Sequence, residues 1–73
     1  MLLTTLMKEG NSYNLHDVNR NITIINTEKD NITDAIEVVN NTLDNDLQVN
    51  KITASLYEIA TIYGGVRKGI ISI

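Results

Sequence analysis

The amino-acid sequence predicts a mainly α-helical fold: an elongated, coiled-coil-like protomer, continuous, kinked or folded as a helical hairpin, that works in an oligomer and carries short non-helical ends. Three observations predict it. Between Asn31 and Tyr63 apolar residues recur at alternating spacings of three and four: Ile32, Ile36, Val39 and Leu43, then Val49, Ile52, Leu56, Ile59 and Tyr63. That is the rhythm of a helical seam. Next, a chain of 73 residues buries only a modest fraction of its surface when it folds alone. With no Cys and one His, neither a disulfide nor a thiolate or imidazole metal site supplies the deficit, which leaves association. Last, the apolar inventory is dominated by eleven Ile, with three Tyr as the only aromatics, a stock that fills a narrow seam better than a globular centre.

Taken in order, Met1 to Met7, MLLTTLM, is apolar but too short to span a bilayer, and it lacks a positive flank or a small-residue cleavage site. It reads as a segment packed on a neighbour, and residues 1–14 form an N-terminal docking segment. Lys8 to Asn14, KEGNSYN, is a break, since Gly10 and Asn11 accept left-handed backbone and Ser12 and Asn14 suit caps.

A heptad frame then runs Leu15, Val18, Ile22, Ile25, Lys29, Ile32, Ile36, Val39 and Leu43, with Lys29 as its polar intruder. Periodicity and propensity disagree over Arg20 to Thr27, RNITIINT, which is also how a strand reads. The alternative fold follows from that conflict: an α+β chain with N-terminal strands, one of them at Ile22 to Asn26, followed by one long helix capped by Thr27. Seam spacing favours the helical reading, in which residues 15–63 are a coiled-coil region. The stripe restarts one residue early at Val49, so a phase slip falls near residues 44–48, LDNDL and its flank, as a local overwinding or a chain reversal. Gly64 would cap the helix, leaving 64–73 as an extended tail that docks on the N-terminal segment or a second chain.

No reaction is legible. His16 and Asp17 are adjacent, but neighbours on a helix point about 100° apart and no nucleophile motif accompanies them. Asp44, Asp46, Gln48 and Asn50 open like a calcium loop, yet Val49 stands where the turn Gly belongs and Ser55 where the closing Glu belongs. Gly64 to Gly69, GGVRKG, resembles a phosphate loop only loosely, since it lacks the Lys-Ser/Thr ending. Three glycosylation sequons, at Asn21, Asn31 and Asn40, carry no meaning without a secretion signal. No catalytic, metal or cofactor residue is therefore assigned. Net charge is −3, and the basic residues are scattered apart from Arg67 and Lys68, so no nucleic-acid footprint appears and membrane contact is not favoured.

The expected interface is the seam itself: Ile22, Ile25, Ile32, Ile36, Val39, Leu43, Val49, Ile52, Leu56, Ile59 and Tyr63. β-branched residues at both seam positions favour three or more chains, with Lys29 selecting register. Its partners are then further copies of itself and other proteins of a larger assembly. Ten Asn and eight Thr in a Cys-free chain resemble the composition of small bacteriophage structural and fibre components. With a helical seam and no catalytic constellation, the expected role is a non-enzymatic structural subunit of an assembly such as a virion, and with no signal peptide or membrane span its expected location is the cytoplasm or a virion. The alternative is a small acidic regulator or inhibitor that binds a host protein through an amphipathic helix.

Overall fold

A computed structural model describes all residues, Met1 to Ile73. It overturns the helical expectation. The chain forms six strands, β1 (Leu2–Glu9), β2 (Ser12–Asp17), β3 (Ile22–Asn26), β4 (Leu47–Thr53), β5 (Leu56–Thr61) and β6 (Arg67–Ser72), with a single helix, α1 (Ile32–Thr42), between β3 and β4. The strands make one mixed sheet in the order β3-β2-β1-β6-β5-β4. Two antiparallel meanders, β1 to β3 and β4 to β6, meet at the centre through the parallel pair β1–β6. There is no coiled coil, no long helix and no seam.

The reasons are local. In β4 and β5 the residues that suggested a helix belong to a hairpin, where Val49 lies opposite Ile59 and the turn between the strands falls at Ala54 and Ser55. Ser55 N–H donates to Thr53 Oγ1 (3.2 Å), and that side-chain turn does without the Gly or Pro that usually marks one. At Ile22–Asn26 β-branched composition wins over spacing, and β3 forms. The tail docks on the N-terminal segment of its own chain as a sheet strand, β6 pairing with β1 from Leu2↔Gly69 to Thr5↔Ser72. Thr hydroxyls close this central seam: Thr4 Oγ1 donates to the Ile70 carbonyl (2.8 Å) and Thr5 Oγ1 to that of Ser72 (3.2 Å).

Only Ile32, Ile36 and Val39 stay in a helix, with Leu43 as its extended C-cap, and α1 is eleven residues long. Its N-cap is Asn31 rather than Thr27. Asn31 Oδ1 accepts from Asp34 N–H (2.9 Å) while its Nδ2 donates to Asp34 Oδ2 (2.8 Å), a reciprocal cap with the carboxylate at the positive end of the helix. Thr27 is buried and ties β3 back to β2, donating from Oγ1 to the Tyr13 carbonyl (2.6 Å). Lys29 precedes the helix, is exposed, and selects no register.

Because α1 links the two opposite edges of the sheet, it crosses one face, packing on β2 and β4. The core lies between them: Ala35 and Val39 from the helix against Leu6, Leu15, Tyr57, Ile59 and Ile71 from the sheet. Every buried side-chain nitrogen or oxygen has a hydrogen-bond partner. The chain exposes 4588 Å², close to the roughly 4,500 Å² expected of a folded monomer of its mass, so it closes a core without a second copy. The other face of the sheet carries no helix.

Candidate functional site

One end of the sheet gathers the starts of β1, β4 and β6, the β2–β3 turn and the β5–β6 loop. Most of the exposed large apolar side chains are there: Met1, Leu3, Val18, Ile22, Ile62, Tyr63 and Val66, each at least 40% exposed. They form a rim that runs from β3 across β2, β1 and β6 to β5, four strand spacings or about 19 Å.

The rim is built, not frayed. Residues 62–65 form the β5–β6 loop, closed by Thr61 N–H donating to the Val66 carbonyl (2.9 Å). Thr61 Oγ1 accepts from Val66 N–H (2.9 Å) and donates to the Tyr63 carbonyl (2.7 Å), and Ile62 N–H reaches the Asp46 carbonyl (2.9 Å). Gly64 and Gly65 take the left-handed backbone (φ 85° and 62°) that the chain needs to turn here, so they are loop residues and not a helix cap. The result holds Tyr63 at the tip, 88% exposed. On the other side of the rim Asp17, itself buried, organises the β2–β3 turn: Oδ1 accepts from the Asn19 and Arg20 amides (3.0 and 3.1 Å) and Oδ2 from Arg20 Nε (2.9 Å). The Arg20 amide, then its guanidinium, hold the Asp17 carboxyl below the ordinary carboxylate range.

The uncovered face adds two polar groups on either side of a mixed centre that holds Leu3, Thr5, Ile70 and Ser72. On the β1–β2 side Glu9 Oε1 is 2.8 Å from both Asn14 Nδ2 and His16 Nε2. On the β5–β6 side Glu58 accepts from Arg67 Nε (2.9 Å) and Asn50 Nδ2 (3.2 Å). These donors, Asn14 foremost for Glu9 and Arg67 for Glu58, lower both carboxyl pKa values.

The Glu9–His16–Thr23 line resembles a carboxylate–imidazole–hydroxyl relay in composition but not in geometry. Thr23 Oγ1 is nearly equidistant from the two ring nitrogens (3.3 and 3.4 Å), off the lone-pair direction of either, so the ring does not activate it. His16 and Asp17, neighbours in sequence, point to opposite faces of β2. The one hollow, about 290 Å³ and open, is lined by Lys29, Asp34, Glu37, Val38 and Asn41 beside the outer side of α1, away from these groups. No three His, Cys, Asp or Glu side chains converge as metal ligands. The residues that suggested a calcium loop are dispersed, Asn50 pairing with Glu58 across the hairpin.

The expected interface residues are divided by the fold. Val39 and Ile59 are sealed in the core of a single chain, and Ile25, Ile32, Ile36, Leu43 and Val49 pack partly buried against it. Leu56 is half-buried on the uncovered face. Ile22 (46%), Ile52 (44%) and Tyr63 (88%) reach solvent; Ile22 and Tyr63 lie at the rim end of the sheet and Ile52 at the other. Sequence reasoning missed Met1, Val18, Ile62 and Val66 as a group. The legible signal was Tyr-Gly-Gly between two β-branched runs, a hairpin turn carrying an aromatic. No helix is long and apolar enough to cross a membrane. Neither a protein-family model, nor a curated protein, nor a solved structure matches the chain.

Proposed function

We propose that the protein is a non-enzymatic protein-binding module, an assembly subunit that docks on another protein through the apolar rim, with Tyr63 as the anchor. The observation that carries this reading is the loop itself: two glycines and four hydrogen bonds are spent on displaying a large aromatic side chain to water. Exposed aromatics on a rigid support bind at low entropic cost, and such residues dominate interface energetics. The partner site this chemistry fits is an apolar pocket for the ring with an acceptor for its hydroxyl, flanked by a carboxylate for Lys68, which has no ion-pair partner in the chain.

A small regulator is the second reading, and the closed core favours it, since a chain that folds alone can meet its target as a monomer. Stoichiometry separates the two: a subunit is found in a repeating assembly, a regulator in a one-to-one complex. The test of both is a photo-crosslinking residue at position 63 in cells that make the protein. A discrete adduct is expected there, lost with Val66→Asp and absent from a probe at Ile52 on the opposite end. Equal labelling from the two positions would refute the rim as the docking surface.

A further inference from the structure

The apolar rim is bordered by charges of opposite sign on its two sides. Three Lys or Arg side chains stand at this end of the sheet, and two of them are engaged: Arg20 Nε on Asp17 (2.9 Å) and Arg67 Nε on Glu58 (2.9 Å). Lys68 is exposed at the start of β6, one residue before the Leu2↔Gly69 pair, and forms no ion pair within the chain. At the β4 corner the sign reverses. There α1 ends at Thr42 with no basic residue in its last turn, so the negative end of its dipole is uncompensated. Asp44 and Asp46 follow within four residues, both exposed and neither in an ion pair. Carboxylates just beyond a helix C-terminus oppose its dipole, so the fold gains nothing from these two charges. The corner is fixed to the rim, because Ile62 N–H donates to the Asp46 carbonyl (2.9 Å) and Leu47 N–H to that of Asp44 (3.0 Å).

We infer that the rim takes a partner segment that is itself polar in charge. Its apolar side chains lie between a Lys or Arg, set against Asp44, Asp46 and the end of α1, and a carboxylate that reaches Lys68. The two poles are two strand spacings apart, about 10 Å, a span of about seven residues of helix or about three of extended chain. Ile62 and Tyr63, which follow the intervening strand β5, stand between them and supply the apolar centre. Opposite charges on the two sides admit the segment in one direction only, so they fix its orientation and exclude a segment of reversed charge order. The rim must be the docking surface for this to hold.

The test keeps the photo-crosslinking residue at position 63 and compares adduct yield among charge variants. Asp44→Lys combined with Asp46→Lys should cut the yield about tenfold, as should Lys68→Glu, and added salt should weaken the wild-type adduct. The same aspartate pair should leave the Tm unchanged or raise it, since lysine complements the negative end of α1, and that separates a binding role from a structural one. An adduct lost with Val66→Asp yet unchanged by either charge reversal would overturn the polarity and leave the rim standing. A fall in Tm with the aspartate pair would assign those charges to the fold and overturn it likewise. No adduct from position 63 in the wild type would overturn the rim and its polarity together.

Discussion

Replacing Gly69 by Ala probes the junction on which the sheet depends. Gly69 is buried in β6 opposite Leu2, where the two meanders join. A Cβ built there meets the Leu2 carbonyl oxygen at 2.9 Å, Leu2 Cβ at 3.2 Å and Ile59 Cδ1 at 3.3 Å. The Ile59 methyl can swing aside. The carbonyl cannot, because it belongs to the backbone of the central ladder, and carbon–oxygen contacts ordinarily begin near 3.3 Å. Overpacking of this kind costs about 1–3 kcal/mol. The chain as a whole, at roughly 0.05–0.15 kcal/mol per residue, has on the order of 4–11 kcal/mol in reserve. With about 4–8 °C lost per kcal/mol in a domain this small, Gly69→Ala should lower the Tm by about 4–24 °C, read by thermal melts followed at a β-sheet wavelength. Were the site roomy, the same change would stiffen the unfolded chain and stabilise by about 0.4–1 kcal/mol. A Tm that holds or rises would therefore refute the parallel β1–β6 junction.

Other consequences follow from the same packing. Leu15→Ala empties a fully buried position between α1 and the sheet and should cost about 2–5 kcal/mol in denaturant unfolding. Asn31→Ala removes the helix cap and should cost about 1 kcal/mol, while Thr27→Ser, which keeps the hydroxyl bonded to Tyr13, should cost less than Thr27→Val. Lys29→Ile should leave both Tm and oligomer state unchanged, since Lys29 is an exposed residue outside the helix. Glu9, Asp17 and Glu58 all have folded-state pKa values below the ordinary carboxylate range. Each therefore contributes stability that is complete above the unfolded-state pKa near 4 and is lost as pH falls through the folded value. The Tm should drop as pH falls below about 4, and Asp17→Asn should flatten that decline, as measured by melts across the acid range.

How much of this was legible depends on the element. The helical character of Ile32 to Val39 was, because their spacing is that of an amphipathic helix, but its bounds were not: the cap-forming Asn31 and first-turn acid Asp34 that set its start were passed over for Thr27, and its end at Thr42 carries no Gly or Pro. The rest of the seam was an accident of hairpin geometry. Two apolar residues on one strand, a short turn and two on the next gave Val49, Ile52, Leu56 and Ile59 a spacing of three and four. The period-two signal that should have competed was blurred where Lys51 follows Val49 on the covered face and where Ala60 follows Ile59. The Thr-Ala-Ser turn carried no glycine to expose the break. At Ile22–Asn26 the β-branched run was a true strand signal, overruled by its chance phase with the helix. The abundance of Thr, a weakness in a helix, is an asset in this sheet, where Thr4, Thr5, Thr27 and Thr61 spend their hydroxyls on neighbouring backbone. The rim could not be assembled from sequence, since Met1, Val18 and Tyr63 meet only once the strand order is known.

The central claim is that the two ends of the chain lie side by side at the middle of one sheet. Interstrand nuclear Overhauser effects between β1 and β6, recorded on the isotopically labelled chain, test it most directly. The fold predicts cross-peaks linking Thr4 to Ile70 and Ile71, across a separation of 66 residues in the Thr4–Ile70 case. Helical sequential connectivities running unbroken from Val49 to Tyr63, with no contact between β1 and β6, would contradict it.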